Sequence, residues 1–206
     1  MEKIKISITN KYQYYCLFFY LAVWIFLAIN PKDRFIWFLE NLLPLVFVSL
    51  LIATYKRFRF SKLSYTLITA FMVMHAIGAH YSYSEVPFFK SMFELIHFQR
   101  DNYDRLVHFS FGLLMAYPIR EFIVKKAKIT GFWSYYIPAA IIMSFSAAYE
   151  MIEWAAAKTV ASPKNALAFL GMQGDVFDAE KDMLMAASGA VITMFISFAN
   201  RARHTK

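Results

Sequence analysis

The residues best suited to chemistry come in three short runs. In "QGDVFDAEKDM", Asp175, Asp178, Glu180 and Asp182 fall within eight residues, just ahead of a long apolar stretch. Asp175, Asp178 and Asp182 are spaced i, i+3, i+7. In "QRDNYDRLVHFSFG", Asp101, Asp104 and His108 repeat that spacing. In "SAAYEMIEWAA", Glu150 and Glu153 stand at i and i+3. On a helix each set projects from one face. Several carboxylates with an imidazole can hold a divalent cation. Oxygen ligands suit Mg²⁺, Ca²⁺ or Mn²⁺, and histidine shifts the preference towards Mn²⁺, Fe²⁺ or Zn²⁺. Such an ion polarises a phosphate or activates water. No spacing matches a defined metal motif such as HExxH.

On this reading Asp104, His108, Glu150 and Glu153 are the catalytic candidates. Asp175, Asp178 and Asp182 are candidate metal ligands, joined by His80 from "HAIGAHYSYSEVP". His75 and His80 are five apart and do not share a face well. His80, nearer the end of its segment, is the better candidate of the two. Arg100 and Arg105 could clamp an anionic headgroup bidentately while a carboxylate or His108 handles a proton. Gln173 joins them as a substrate-binding candidate. Each cluster also has a purely structural reading. Asp175 or Asp178 could cap the last helix, whose N-terminus favours an anion. Asp101 and Asp104 could pair with Arg100 and Arg105 on a wet surface, and His108 could be a satisfied buried histidine. Glu150 and Glu153 are the hardest to read this way. They sit in an apolar helix, where an ionised carboxylate costs on the order of 2–3 kcal/mol near the bilayer centre.

These residues need elements to position them. The 206-residue chain is 59% hydrophobic and only 17% charged, with a mean hydropathy of +0.43. A soluble domain carries about 25% charged residues. The apolar surplus comes in blocks, which points to an all-α, polytopic integral membrane protein forming a single multi-pass domain over residues 1–206. About six segments can span the roughly 30 Å of hydrocarbon: 12–30, 35–55, 64–83, 106–124, 132–154 and 182–200. Pro44, Pro118 and Pro138 lie inside segments, which membrane helices tolerate. Lys3, Lys5 and Lys11 ahead of the first block mimic a signal peptide. The block is long for one, and "LAINPKDR" offers no cleavage site, so an uncleaved first helix is expected. The lone Cys16 excludes an internal disulfide and a cysteine metal site.

The formal charge of +8 does not call for nucleic acid, because the Lys and Arg cluster in the loops between apolar blocks. Of the 22, 14 fall in the N-terminal tail, the second and fourth loops and the C-terminal tail. The positive-inside rule then places both termini in the cytoplasm. Only Glu2 and Glu121 of the acidic residues share that side. All three carboxylate runs fall on the opposite, extracytoplasmic side.

Four blocks in order, "HYSYSEVP", "RDNYDRLVHFSFGLLMAYPIRE", "YEMIEW" and "GMQGDVFDAEKDMLMAASGA", resemble the YjdF family of bacterial inner-membrane proteins, a multi-pass family classed as a domain of unknown function. The resemblance covers nearly the whole chain. It implies residence in the bacterial cytoplasmic (inner) membrane and supplies no activity. More remotely, Asp104, Arg105, His108, Glu150 and Asp178 or Asp182 look like a pattern of the VanZ family, which is associated with teicoplanin resistance. The arginine which that family carries ahead of its last helix is replaced here by Gln173-Gly174. The sequence therefore leads to an extracytoplasmic polar site that acts, with a divalent cation, on a lipid-linked or envelope substrate. Two alternatives stay open: a non-catalytic cation- or solute-binding or transport protein, and a structural membrane protein. The expected partner is the lipid bilayer itself, with no nucleic acid.

The topology is directly testable. A reporter fused after Lys206 is expected to be active only in its cytoplasmic form, and periplasmic activity there would invert the placement of every cluster.

Overall fold

The structure, a computed structural model, describes residues 11–83, 85–87, 102–159 and 175–204. Among these residues there are six α-helices and no strand: α1 Tyr12–Leu27, α2 Arg34–Thr54, α3 Lys62–His80, α4 Tyr103–Lys125, α5 Trp133–Thr159 and α6 Asp178–His204. Four of them, α2, α3, α4 and α6, are both long and apolar enough to cross a bilayer. The other two fall short for different reasons. α1 has 16 residues, or about 24 Å at 1.5 Å per residue, against about 30 Å of hydrocarbon. α5 has 27 residues, but Glu150 and Glu153 interrupt its apolar stretch. The exterior is as greasy as the sequence requires. Phe18, Phe38, Val46, Phe145, Val191 and Phe195 are all exposed, an outward face that suits lipid and not water. This is a polytopic membrane protein.

Local sequence sets where the helices begin. Asp33 caps α2, its Oδ1 accepting from the backbone N–H of Phe35 at 2.8 Å and Ile36 at 2.9 Å. Ser61 caps α3, accepting from the Ser64 N–H at 3.2 Å. That cap is reinforced from α4. Buried Glu121 accepts from the Ser61 N–H and Ser61 Oγ, both at 2.9 Å, from Ser64 Oγ, and from Lys125 Nζ at 2.5 Å. An isolated carboxylate would be costly here. Four donors turn it into the joint between α3 and α4 at the basic end of the bundle.

The most extensive pairing is α4 on α6. Small residues explain how the backbones come so close. A Cβ on Gly112 would overlap the Ala186 carbonyl, and one on Gly189 would overlap the Phe109 carbonyl. Ala116, Ala186 and Ala190 are fully buried alongside them. Without a hydrophobic force between helices in lipid, this close packing is what associates them. Thr193 Oγ1 adds a hydrogen bond to the Leu113 carbonyl at 2.6 Å. By contrast, the main pairing of α2 is with α3, and it is the lightest of the bundle's substantial pairings.

Gly112→Ala and Gly189→Ala test this seam. Backbone cannot yield as a side-chain tip can, so each change is expected to cost about 1–3 kcal/mol. The double variant should cost less than the sum, because one methyl already parts the helices. Thermal melting in detergent is the measurement, with Ser188→Ala as a control that changes little.

Candidate functional site

The acidic end of the bundle is built around the first turns of α4 and α6. Arg105, one residue after Asp104, reaches across to the start of α6. Its Nη2 donates to Asp175 Oδ2 at 2.5 Å and stands 3.4 Å from Asp178 Oδ1, and its Nε is 4.0 Å from Asp182 Oδ1. Nη1 meets Asn102 Oδ1 at 3.4 Å. Asp178 and Asp182 are buried. Asp175 also accepts from Lys181 Nζ at 2.6 Å and from the Phe177 N–H at 3.2 Å. The Lys181 ammonium, followed by the Arg105 guanidinium, holds the Asp175 carboxyl well below the usual carboxylate range. The run of aspartates ahead of α6 is thus gathered by one guanidinium from α4.

Beside this clamp stands His108, buried one turn further along α4. Its Nε2 lies 3.6 Å from Asp104 Oδ1 and 3.4 Å from Glu150 Oε1, and its Nδ1 is 3.4 Å from Ser146 Oγ. Glu153 stands one turn further along α5 from Glu150. Ligand atoms of Asp104, His108 and Asp182 all fall within 4.8 Å of one another. Two carboxylates and an imidazole at that separation are a donor set for a single divalent cation such as Mn²⁺, Fe²⁺ or Zn²⁺.

A second polar chain runs from α3 to α5 through α2. Pro44 has no N–H, so the Glu40 carbonyl four residues earlier loses its helical partner. His75 Nε2 fills the gap at 3.0 Å. That bond makes Nε2 the protonated nitrogen, so Nδ1 accepts from Tyr83 Oη at 2.5 Å. Tyr83 reaches it from an unusual backbone. Ser82 and Tyr83 have φ of 52° and 55°, a left-handed pair that curls the chain back after α3. The Tyr83 N–H donates to the Gly78 carbonyl at 2.8 Å, and the ring lies where a Cβ on Gly78 would be. On the far side, Tyr149 Oη donates to Glu40 Oε2 at 2.5 Å, and the Tyr149 ring packs edge-on to His108 at 6.0 Å.

The structure thus brings Asp104, Arg105, His108, Glu150, Glu153, Asp175, Asp178 and Asp182 to one end of the bundle. It distributes them differently from the grouping the spacing suggested. The triad whose ligand atoms lie within 4.8 Å of one another mixes Asp104 and His108 with Asp182. Asp175 and Asp178 are engaged by Arg105 instead, so that guanidinium faces carboxylates where a headgroup clamp was expected. His80 stands elsewhere: its Nδ1 bonds the Leu27 carbonyl at 2.7 Å, closing the end of α1. His75, the less favoured of the two, is the one in the polar network. Arg100, Asp101 and Gln173 lie outside the described residues. Tyr83, which the sequence suggested for an interfacial aromatic belt, is buried against His75 instead, and Glu40, Tyr149 and Ser146 were not singled out from the sequence. Glu40 had a usable signal, being a lone carboxylate inside an apolar helix, four residues before a proline.

Comparison with known proteins agrees with this architecture. A family model described as "Predicted membrane protein (DUF2238)" matches residues 12–203. The chain belongs to this family. It is also 34% identical over 171 residues to the inner membrane protein YjdF of Escherichia coli (strain K12), covering 82% of this chain and 81% of that one. No solved structure matches it. As a member of the family, it is a multi-pass protein of the inner-membrane type.

Arg105→Ala should be among the most damaging single changes here. It leaves Asp178 and Asp182 buried without the positive charge between them, a loss of about 3–5 kcal/mol. Arg105→Lys should recover only part, since one ammonium cannot span three carboxylates. Melting of both variants in detergent checks the order wild type, Lys, Ala.

Proposed function

We propose that this protein works at the extracytoplasmic face of the bacterial cytoplasmic membrane, both termini being cytoplasmic, as a metal-assisted hydrolase or transferase acting on a phosphate-bearing, lipid-linked envelope substrate. The observation that carries this reading is the Asp104–His108–Asp182 triad, with ligand atoms within 4.8 Å of one another at the acidic end of a spanning bundle. The surroundings favour a cation over a bare anion. Asp104, Asp178 and Asp182 outnumber Arg105 there, so a phosphate alone would meet net negative charge. A divalent ion held by the triad would offset that negative charge, and would supply polarisation of a phosphate oxygen and a lowered pKa for bound water. Among this chain's own residues, Glu150 is placed to take a proton, its Oε1 being 3.4 Å from His108 Nε2. Asp104 and Asp182 would orient the ion, and Arg105 would fix Asp182 and Asp178.

The position of the charges supports an interfacial reaction over transport. The carboxylates crowd one end of the helices. At the opposite end, Glu121 is already consumed by Ser61, Ser64 and Lys125.

Melting curves with EDTA and with added Mg²⁺, Mn²⁺ or Zn²⁺ test the reading. At a hundredfold excess over Kd a bound ion adds about 2.7 kcal/mol, roughly 5–10 °C for a chain of this size. Mn²⁺ or Zn²⁺ is expected to give the larger shift, and Asp182→Asn should abolish it. Absence of any metal-dependent shift, or one that survives Asp182→Asn, sinks the proposal. Glu150→Gln should insert normally and keep the shift, since Glu150 is assigned the proton and not the ion.

A further inference from the structure

The bundle contains a partly open cavity of about 450 Å³ bordered by α2, α3, α4 and α5. It shares two residues, Asp104 and His108, with the candidate metal triad. We propose that this cavity seats one hydrocarbon chain of a membrane lipid, entered through the seam between α2 and α5, with the lipid's polar head at the Asp104–His108 end. The position of the head rests on the reading above; the seat for the chain does not.

The walls are sorted along the bundle. Polar lining groups, His75, Tyr83, Asp104, His108, Ser146 and Tyr149, gather at the acidic end. Below them the α4 wall continues as Phe111, Met115 and Ile119. From Asp104 to Ile119 is about 22 Å of helix at 1.5 Å per residue, which is longer than half of the roughly 30 Å hydrocarbon thickness. A headgroup at the acidic end would therefore leave its chain alongside these apolar side chains. Water is a poor occupant, because it needs two to four polar partners and the lower wall supplies none.

The volume is sufficient for a chain. At about 30 Å³ per small group, the share of one molecule in liquid water, the space holds at least roughly 15 such groups, enough for a single acyl chain.

The entrance follows from how loosely α2 is seated. Leu43, Val46 and Leu50 of α2 line the cavity and are also exposed on the bundle's surface, as are Phe145 and Ile152 of α5. The cavity therefore reaches the lipid along the α2–α5 seam. Near the acidic end these helices are joined by the Tyr149–Glu40 hydrogen bond. Beneath that bond, the residues on both sides of the seam are apolar.

The test uses the full chain in vesicles of phosphatidylglycerol whose acyl chains are brominated, in EDTA. A tryptophan introduced by Phe111→Trp reports from the cavity wall, and one introduced by Phe195→Trp reports from the exposed outer face of α6. Both should lose most of their added emission relative to vesicles without bromine. Ala148→Phe, which fills the cavity, should restore emission for Phe111→Trp and leave Phe195→Trp quenched. Unquenched Phe111→Trp beside quenched Phe195→Trp would overturn the proposal, leaving water or a second copy of the chain as occupant. Quenching that Ala148→Phe does not relieve would overturn it as well. Native mass spectrometry of the unaltered protein gives the same answer without substitution: one retained phosphatidylglycerol per chain supports the seat, and a bare chain refutes it. Occupancy without a metal-dependent melt would keep this inference and remove the metal reading. The reverse result would remove the cavity inference alone.

Discussion

Arg105 stands where α4 and α6 start, and much of the acidic end depends on it. Asp175, Asp178 and Asp182 all lie within 4.0 Å of its guanidinium nitrogens. In lipid such a cluster of carboxylates repels itself unless a cation neutralises it. The guanidinium does so from the helix against which α6 already packs most extensively. Close backbone contact at Gly112 and Gly189 and charge pairing at Arg105 therefore reinforce each other. The first brings the helix ends within reach. The second fixes their rotation, so that Asp182 faces His108 and Asp104.

The other helices meet the same requirement, that polar groups in a bilayer be satisfied internally, by different means. Pro44 leaves a carbonyl open in α2. His75 occupies it and is in turn held by Tyr83, whose left-handed backbone is stabilised by the Gly78 carbonyl and by burial of its ring. Strain at Ser82 and Tyr83 is thus offset by contacts that place one hydroxyl. Tyr149 links Glu40 of the same helix to α5, beside His108. At the basic end Glu121 does comparable work with two serines and a lysine. The two polar ends differ in one respect. The Glu121 joint uses hydrogen bonds that close on one another, whereas the acidic end gathers several carboxylates around His108, Arg105 and Lys181.

Loose packing of α2 is the counterpart of the tight α4–α6 seam. α2 carries Leu43, Val46 and Leu50, which are large and exposed, where α4 and α6 carry glycine and alanine. Bulky residues hold helices apart and small ones draw them together. The cavity beside α2 and its continuity with Asp104 and His108 follow from that difference in side-chain size.

Much of this was legible in the residues alone. Hydrophobic blocks of spanning length dictate helices, because a bilayer offers backbone groups no other partners. The spacing of Asp178 and Asp182 places them on one face of α6, since helical geometry is local, whereas Asp175, grouped with them by spacing, lies ahead of the helix. Family membership was also visible in four short runs. Which carboxylate meets which partner was not, because that depends on contacts between helices far apart in the chain. Arg105 and Asp175 are separated by 70 positions, and Glu40 and Tyr149 by 109. Periodicity sets the face a residue occupies but not the neighbour opposite. His80 was preferred over His75 for being nearer a helix end, yet the carbonyl freed by Pro44 lies across the α2–α3 contact, opposite His75. The sequence determined which polar groups enter the membrane protein and near which end; the tertiary packing, set by glycine contacts and unpaired carbonyls, decided which of them touch.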